Sequence, residues 1–354
     1  MKMSFSLDLL LRDNIKRLVP YSSARDEFKG EASVLLDANE NAFGSPYSKN
    51  YNRYPDPLQR RIKEKLYRIK GVPSENIFLG NGSDEAIDIL FRAFCEPGRD
   101  NVILVPPTYG MYEVSANINN VLYKKVNLTH DYQLDLDGIA EAIDTYTKLI
   151  FICSPNNPTG NSIRRQDIET ILVNFDGIVV IDEAYINFSK QPSFTKDLEE
   201  FPNLVILQTL SKAWGLAALR LGMAFAGKEI ITVFNKIKPP YNINQATQDV
   251  VLEALEGVDI VNEWIKEVVE EREKLSVSLQ MLSQVAHVTP SDANFILVKL
   301  EEPRELYNFL VSNGIIVRDR SKVELCEGCL RLTVGTPKEN RMLLENIRAF
   351  YAVV

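Results

Sequence analysis

Lys148-Leu149-Ile150-Phe151-Ile152-Cys153, then Ser154-Pro155-Asn156-Asn157-Pro158-Thr159-Gly160, then, beyond a helical pattern at Arg165 to Phe175, Gly177-Ile178-Val179-Val180-Ile181-Asp182: this succession decides the fold. Both apolar runs are continuous rather than alternating, the pattern of strands covered on two faces. Strands of that kind separated by a helix belong to a mostly parallel sheet. The same alternation extends outward in both directions. Strands are expected at Asn101 to Val105, Val121 to Val126, Leu204 to Thr209 and Gly222 to Ala226, with helices at Ser83 to Cys95, Leu136 to Asp144 and Lys228 to Lys236. The fold class is α/β, a large domain whose central, mostly parallel sheet lies between helices. From Asn244 to Leu282 the pattern turns long and helical, broken near Gly257. Beyond it come strands at Asn294 to Leu300, Ile315 to Arg318 and Leu330 to Val334, with helices at Arg304 to Ser312 and Pro337 to Tyr351. The expected division is an N-terminal arm of residues 1–32, a large domain of 33–245, and a smaller α/β domain of 246–354 on which the arm packs.

Composition narrows the function. Forty basic against forty-eight acidic residues leave −8 on 354, so no broad footprint for a polyanion exists and nucleic acid is not expected as a partner. Hydrophobic residues at 45% and charged residues at 25% suit a packed core and exclude a disordered chain. No run approaches the roughly 18 apolar residues of a membrane helix. Asp8 interrupts the only early apolar run, so a secretory signal is not expected and the cytoplasm is. Cys326 and Cys329 form a lone C-x-x-C without a second pair or a nearby histidine, so no metal site is expected.

Six features fall at strand ends and turns, where an open sheet places its ligands. Gly80-Asn81-Gly82-Ser83 leads into a helix that Ser83 is expected to cap, with Asp84 and Glu85 in its first turn; it is either an ordinary turn or an anion cradle. Asn157 lies in a loop stiffened by two prolines and can donate to an oxyanion. Asp182, ending a buried strand, wants a cation or a protonated ring nitrogen, and the hydroxyl of Tyr185 needs a partner. Ser211-Lys212-Ala213-Trp214-Gly215 puts a lysine among small and apolar residues, where desolvation lowers its pKa and lets its amine form a Schiff base. Arg220 and Arg331, each within an apolar run, suggest buried guanidiniums seeking anions. Tyr109, after Pro106-Pro107-Thr108, offers a rigid aromatic face. Each feature alone also fits core packing, a surface charge or a turn.

In this order the motifs resemble the fold-type I pyridoxal-phosphate aminotransferases. Leu36-Asp37-Ala38-Asn39-Glu40-Asn41, Arg53-Tyr54-Pro55-Asp56-Pro57, Gly80 to Glu85 and Ser211 to Ala217 are similar to the histidinol-phosphate aminotransferase branch, over nearly the whole chain. The resemblance implies pyridoxal 5′-phosphate held covalently by Lys212, with Asp182 keeping its ring nitrogen protonated. It implies that Asn157 and Tyr185 hydrogen-bond the ring oxygen, and that Tyr109 stacks on the ring. Gly82, Ser83, Asp84, Ser211 and Arg220 would meet the cofactor phosphate, with Tyr54 reaching it from the other subunit of a homodimer. Arg331 would take the carboxylate of glutamate in one half-reaction and a substrate phosphate in the other; Arg318 and Tyr21 would help hold that phosphate, and Asn39 would lie near the substrate. The partners implied are small molecules: histidinol phosphate, imidazole-acetol phosphate, glutamate and 2-oxoglutarate. An aromatic amino-acid aminotransferase or a threonine-phosphate decarboxylase shares most of these cofactor motifs. A non-catalytic cofactor-binding regulator is the alternative of another class, although regulators of that kind carry a DNA-binding module ahead of the fold.

Overall fold

The computed structural model describes residues 5–21 and 33–353. Its larger sheet has seven strands: β1 (Ile77–Asn81), β2 (Asn101–Leu104), β3 (Leu122–Lys125), β4 (Thr147–Cys153), β5 (Ile178–Asp182), β6 (Leu204–Thr209) and β7 (Leu221–Ala226), in the order β1-β7-β6-β5-β4-β2-β3. β2 to β6 run parallel, and β7 alone opposes its neighbours β1 and β6. The continuous apolar runs have a direct structural reason. In β5, Val179 and Ile181 enter one core while Ile178 and Val180 enter the other, so successive side chains are buried on opposite faces of one sheet. Each such side chain contributes about 1.5–3 kcal/mol of transfer free energy.

The helix Ser83–Phe94 packs Ala86, Ile87, Leu90, Phe91 and Phe94 against this sheet, as its apolar spacing predicts. Its start departs from expectation. Gly82, at φ 72°, is the N-cap and Ser83 is already the first helical residue, with no side-chain cap at all. β7 passes close behind this turn, where a Cβ on Gly222 would stand 2.1 Å from the Ser83 nitrogen.

The helical stretch after Asn244 divides into Gln245–Ala254 and Val258–Gln280, joined by a short turn at Leu255–Gly257. A second, antiparallel sheet follows, with β8 (Val285–Val288), β9 (Phe295–Leu300), β10 (Arg318–Asp319) and β11 (Cys329–Thr333) in the order β10-β11-β9-β8. β8 and the helix Arg60–Lys70 are additions to the sequence expectation, and the strand expected at 315–318 shrinks to two residues because Ile316 finds no core and stays exposed.

The described part of the arm corrects the expected packing. Ile15 is buried in the large-sheet core, Arg12 pairs with Glu96 at 3.1 Å, and the Ile15 carbonyl accepts from Lys236, so residues 5–16 pack on the large domain. Residues 22–32 of the arm lie outside the described residues. Among the described residues no helix is long and apolar enough to cross a membrane.

Candidate active site

A cavity of about 790 Å³ opens where β4, β5 and β6 end, between the two sheets. Its floor is the acid of β5. Asp182 is buried, and its carboxylate accepts from the Tyr112 hydroxyl at 2.7 Å and from the Ala184 N–H at 3.0 Å. Burial raises its pKa, while Tyr112, the Ala184 N–H and the charge of Lys212 work against that rise. The Tyr112 ring stacks on Phe151 with centroids 4.9 Å apart, so the donor is fixed by packing.

Lys212 follows β6 and lines the same cavity. Its amine stands 5.5 Å from the centre of the Tyr185 ring. Desolvation lowers its pKa first and Arg331 second, with Asp182 opposing them. Tyr185 is buried, with its ring edge-on to Phe295, and its hydroxyl has no hydrogen-bond partner among the described residues. Burial raises its pKa.

At one end of the cavity lies the first turn of the helix Ser83–Phe94, uncapped and therefore presenting backbone N–H groups. Asp84 accepts from the Tyr109 hydroxyl at 3.1 Å and faces Arg220 at 3.5 Å. Ser211 is oriented by Thr209, whose hydroxyl accepts from the Ser211 N–H at 3.0 Å. Arg220 is not the buried guanidinium its apolar neighbours suggest. Its backbone is left-handed, at φ 54°, which turns the side chain out of the strand direction and leaves it 53% exposed beside the anion cradle.

At the other end, Arg331 reaches across from β11 and donates to the side-chain amide oxygen Oδ1 of Asn157, with its guanidinium 5.2 Å from the Phe295 ring centre. Arg318 stands directly opposite Arg331 in the β10–β11 register. The cavity therefore combines a desolvated amine, a buried carboxylate, an uncapped helix start and a cluster of arginines.

The family model described as aminotransferase class I and II matches residues 32–347. The chain belongs to the class I and II aminotransferases. Histidinol-phosphate aminotransferase of Cytophaga hutchinsonii is 55% identical over 348 residues, covering 98% of this chain and 100% of that one. The enzyme of the same description from Parabacteroides distasonis is 56% identical over 339 residues, covering 96% and 97%. The crystal structure of histidinol-phosphate aminotransferase from Sinorhizobium meliloti in complex with pyridoxal-5′-phosphate shares the fold at a TM-score of 0.77, with 24% identity, over 88% of this chain and 90% of that one.

In this aminotransferase the cavity gathers Gly82, Ser83, Asp84, Tyr109, Asn157, Asp182, Tyr185, Ser211, Lys212, Arg220, Arg318 and Arg331. Asn39 and Tyr54 line a different cavity of about 570 Å³, where Tyr54 stacks on Tyr241 with centroids 4.5 Å apart. Tyr21 is exposed and lines neither. The structure adds Tyr112, Cys153 and Arg320 to the expected set. Asp182 did signal that a buried carboxylate needs donors, but nothing in the sequence pointed to Tyr112.

Proposed function

We propose that this aminotransferase binds pyridoxal 5′-phosphate and moves an amino group between histidinol phosphate and 2-oxoglutarate, reversibly and by a ping-pong route, in histidine biosynthesis. The observation that carries the reading is the placement of Lys212 and buried Asp182 in one cavity whose far wall is arginine. The residues fit the cofactor. A Cβ on Gly82 would come within 2.9 Å of Arg220 Nη2, so the turn is shaped to keep open the space in front of an uncapped helix, where a phosphate is stabilised. Tyr185 brings to the cavity wall a hydroxyl with no hydrogen-bond partner among the described residues, and Asp182 brings a buried carboxylate.

When bound, pyridoxal phosphate supplies an electron-poor ring that accepts the electron pair left as a proton leaves the substrate's amine-bearing carbon. Everything else falls to the chain. Ser83, Asp84, Ser211 and Arg220 would hold the cofactor phosphate, and Gly82 leaves room for it. Asp182 would hold the ring nitrogen by charge, Asn157 and Tyr185 would donate to the ring oxygen, and Tyr109 would cover the ring's face. Lys212, desolvated and below the usual lysine pKa, is suited to bind the cofactor covalently and to take the substrate's carbon-bound proton on Nζ. Arg331, with Arg318 and Tyr21, would bind the anionic end of either substrate, so that one locus serves both half-reactions. Asn39 would complete the substrate's surroundings.

We further propose a homodimer in the cytoplasm. Tyr54 is half exposed and lines a cavity other than the one that holds Lys212, which supports a role toward the partner's cofactor phosphate, and Leu36 and Phe43, earlier in the chain, are exposed apolar residues that a partner would cover. Four buried free thiols suit a reducing compartment. The division into residues 1–32, 33–245 and 246–354 is kept as a proposal, with the described arm on the large domain.

The test is a single-turnover comparison of amino donors followed by the cofactor's absorbance. Histidinol phosphate should react with a kcat/KM far above those of phenylalanine and threonine phosphate. Faster turnover of phenylalanine, or release of CO₂ from threonine phosphate, would overturn the substrate assignment.

A further inference from the structure

The substrate end of the cavity contains more positive charge than a carboxylate requires. Arg318 lies opposite Arg331 across the β10–β11 pair, and the Arg320 N–H continues that pairing by donating to the Cys329 carbonyl at 2.9 Å. Alternation along a strand then puts Arg318, Arg320 and Arg331 on one face. All three line the cavity. The intervening residues are turned away: Leu330 is buried in the small-sheet core, and Asp319 accepts from the N–H and hydroxyl of Ser321. Among the described residues, none of the three guanidiniums makes an ion pair with a carboxylate, and the Nε atoms of Arg320 and Arg331 are both buried without a hydrogen-bond partner.

The remaining groups do not neutralise this cluster. Tyr185 and Cys326 are the acidic groups felt by Arg320, and neither is ionised at neutral pH, since burial raises the Tyr185 pKa and holds the Cys326 thiol at about 12. Lys212 across the cavity adds positive charge. Glu324, on the rim, accepts from Asn127. Like charges placed opposite one another on a sheet destabilise it, and a desolvated charge without a partner costs more. Desolvation, Arg331 and Arg318 together lower the Arg320 pKa, the mark of a group that folding alone does not satisfy.

We propose that Arg320 is a specificity-determining binding residue whose guanidinium joins Arg331 and Arg318 on a dianionic phosphate monoester and adds little to the hold on a carboxylate. This deepens the substrate reading above and rests on it. A carboxylate carries one negative charge and is served by Arg331 in a two-pronged contact. A phosphate monoester has three oxygens and, above its second pKa near 6, close to two charges, so a third guanidinium has a distinct acceptor only when phosphate is bound.

The experiment compares wild-type holoenzyme with Arg320→Gln by stopped-flow half-reactions with histidinol phosphate and with glutamate, from pH 5.5 to 7.5, and measures inorganic phosphate as a competitor of glutamate. The variant is expected to bind histidinol phosphate roughly 10- to 100-fold more weakly and glutamate within about twofold of wild type. The gain in affinity as the phosphate ionises near pH 6 should flatten, inorganic phosphate should compete less well, and thermal stability should hold or rise because a repelled charge is gone. An equal loss for both substrates, or a drop in stability accompanying it, would make Arg320 structural and overturn the proposal, as would unchanged affinity for both. Should wild type fail to react with histidinol phosphate, the substrate reading falls by itself. The phosphate competition then still decides the role of Arg320: weaker competition in the variant upholds an anion contact, and equal competition refutes it.

Discussion

Tyr112→Phe isolates one bond on which the floor of the cavity depends. The hydroxyl lies 2.7 Å from Asp182 Oδ2, tyrosine and acid are both buried, and phenylalanine retains the stacking on Phe151. What is lost is a hydrogen bond to a charged acceptor, about 1.5–3 kcal/mol, leaving that carboxylate oxygen without its donor. Burial already holds Asp182 above the usual carboxylate range, and Tyr112 is the largest influence pulling it down, so the variant's acid titrates higher still. The sign follows from linkage. A carboxyl raised on folding stabilises the fold below its unfolded pKa, and that contribution is lost as pH rises through the folded pKa. The apoenzyme of the variant should therefore lose more stability than wild type as pH rises above the unfolded carboxylate pKa of about 4. Only the ionised acid attracts a protonated ring nitrogen, so cofactor affinity should fall roughly 10- to 100-fold and recover partly as pH rises. Equilibrium dialysis of apoenzyme against pyridoxal phosphate at several pH values, with thermal melts of the same samples, reads both effects. A dissociation constant within about twofold of wild type at every pH, together with an unchanged melting profile, would refute the role given to Tyr112.

Arg331→Ala should raise KM for both glutamate and histidinol phosphate, because one guanidinium serves both anions; steady-state kinetics in which glutamate is untouched would break the shared-locus argument. Lys63, buried and depressed to about 8 mainly by desolvation and then by Lys238, destabilises the fold while charged. Its folded pKa lies below the unfolded 10.5, so stability should rise between pH 8 and 10.5, by an upper bound of roughly 3 kcal/mol, and Lys63→Met should remove that rise in denaturant titrations. Tyr54→Phe should weaken cofactor binding in the proposed dimer without changing the assembly's mass by light scattering, and a monomer with full cofactor affinity would contradict the shared site.

The large sheet could be read from the chain because its strands are covered on both faces: β4 and β5 need no periodicity to be recognised, only an unbroken apolar run between turns. The helix Arg60–Lys70 escaped because it buries only Ile62, Lys63 and Leu66 in a segment where seven of the eleven residues are charged, too narrow a stripe to stand out. β8 escaped because Ala286 and His287 are both exposed, so neither alternation nor a continuous run marks it. At the site, residues whose chemistry conflicts with their neighbourhood were found: an acid ending an apolar strand, a lysine among small residues, an arginine in β11. Tyr112 looked like any aromatic because its reason lies seventy positions away in the sequence. Arg320 sits in a polar run, where a charge attracts no notice until the register of β10 and β11 turns it toward Arg331. Arg220 was misjudged because a left-handed backbone angle cannot be read from neighbouring apolar letters.

The most direct trial of the central claim, that the amine at position 212 and the acid at position 182 engage opposite ends of one pyridoxal phosphate, is borohydride reduction of the holoenzyme followed by peptide mass mapping. The expected result is a single cofactor-derived mass on the peptide bearing Lys212, absent in Lys212→Ala. Label on another lysine, or none on an enzyme that still transaminates, would contradict it.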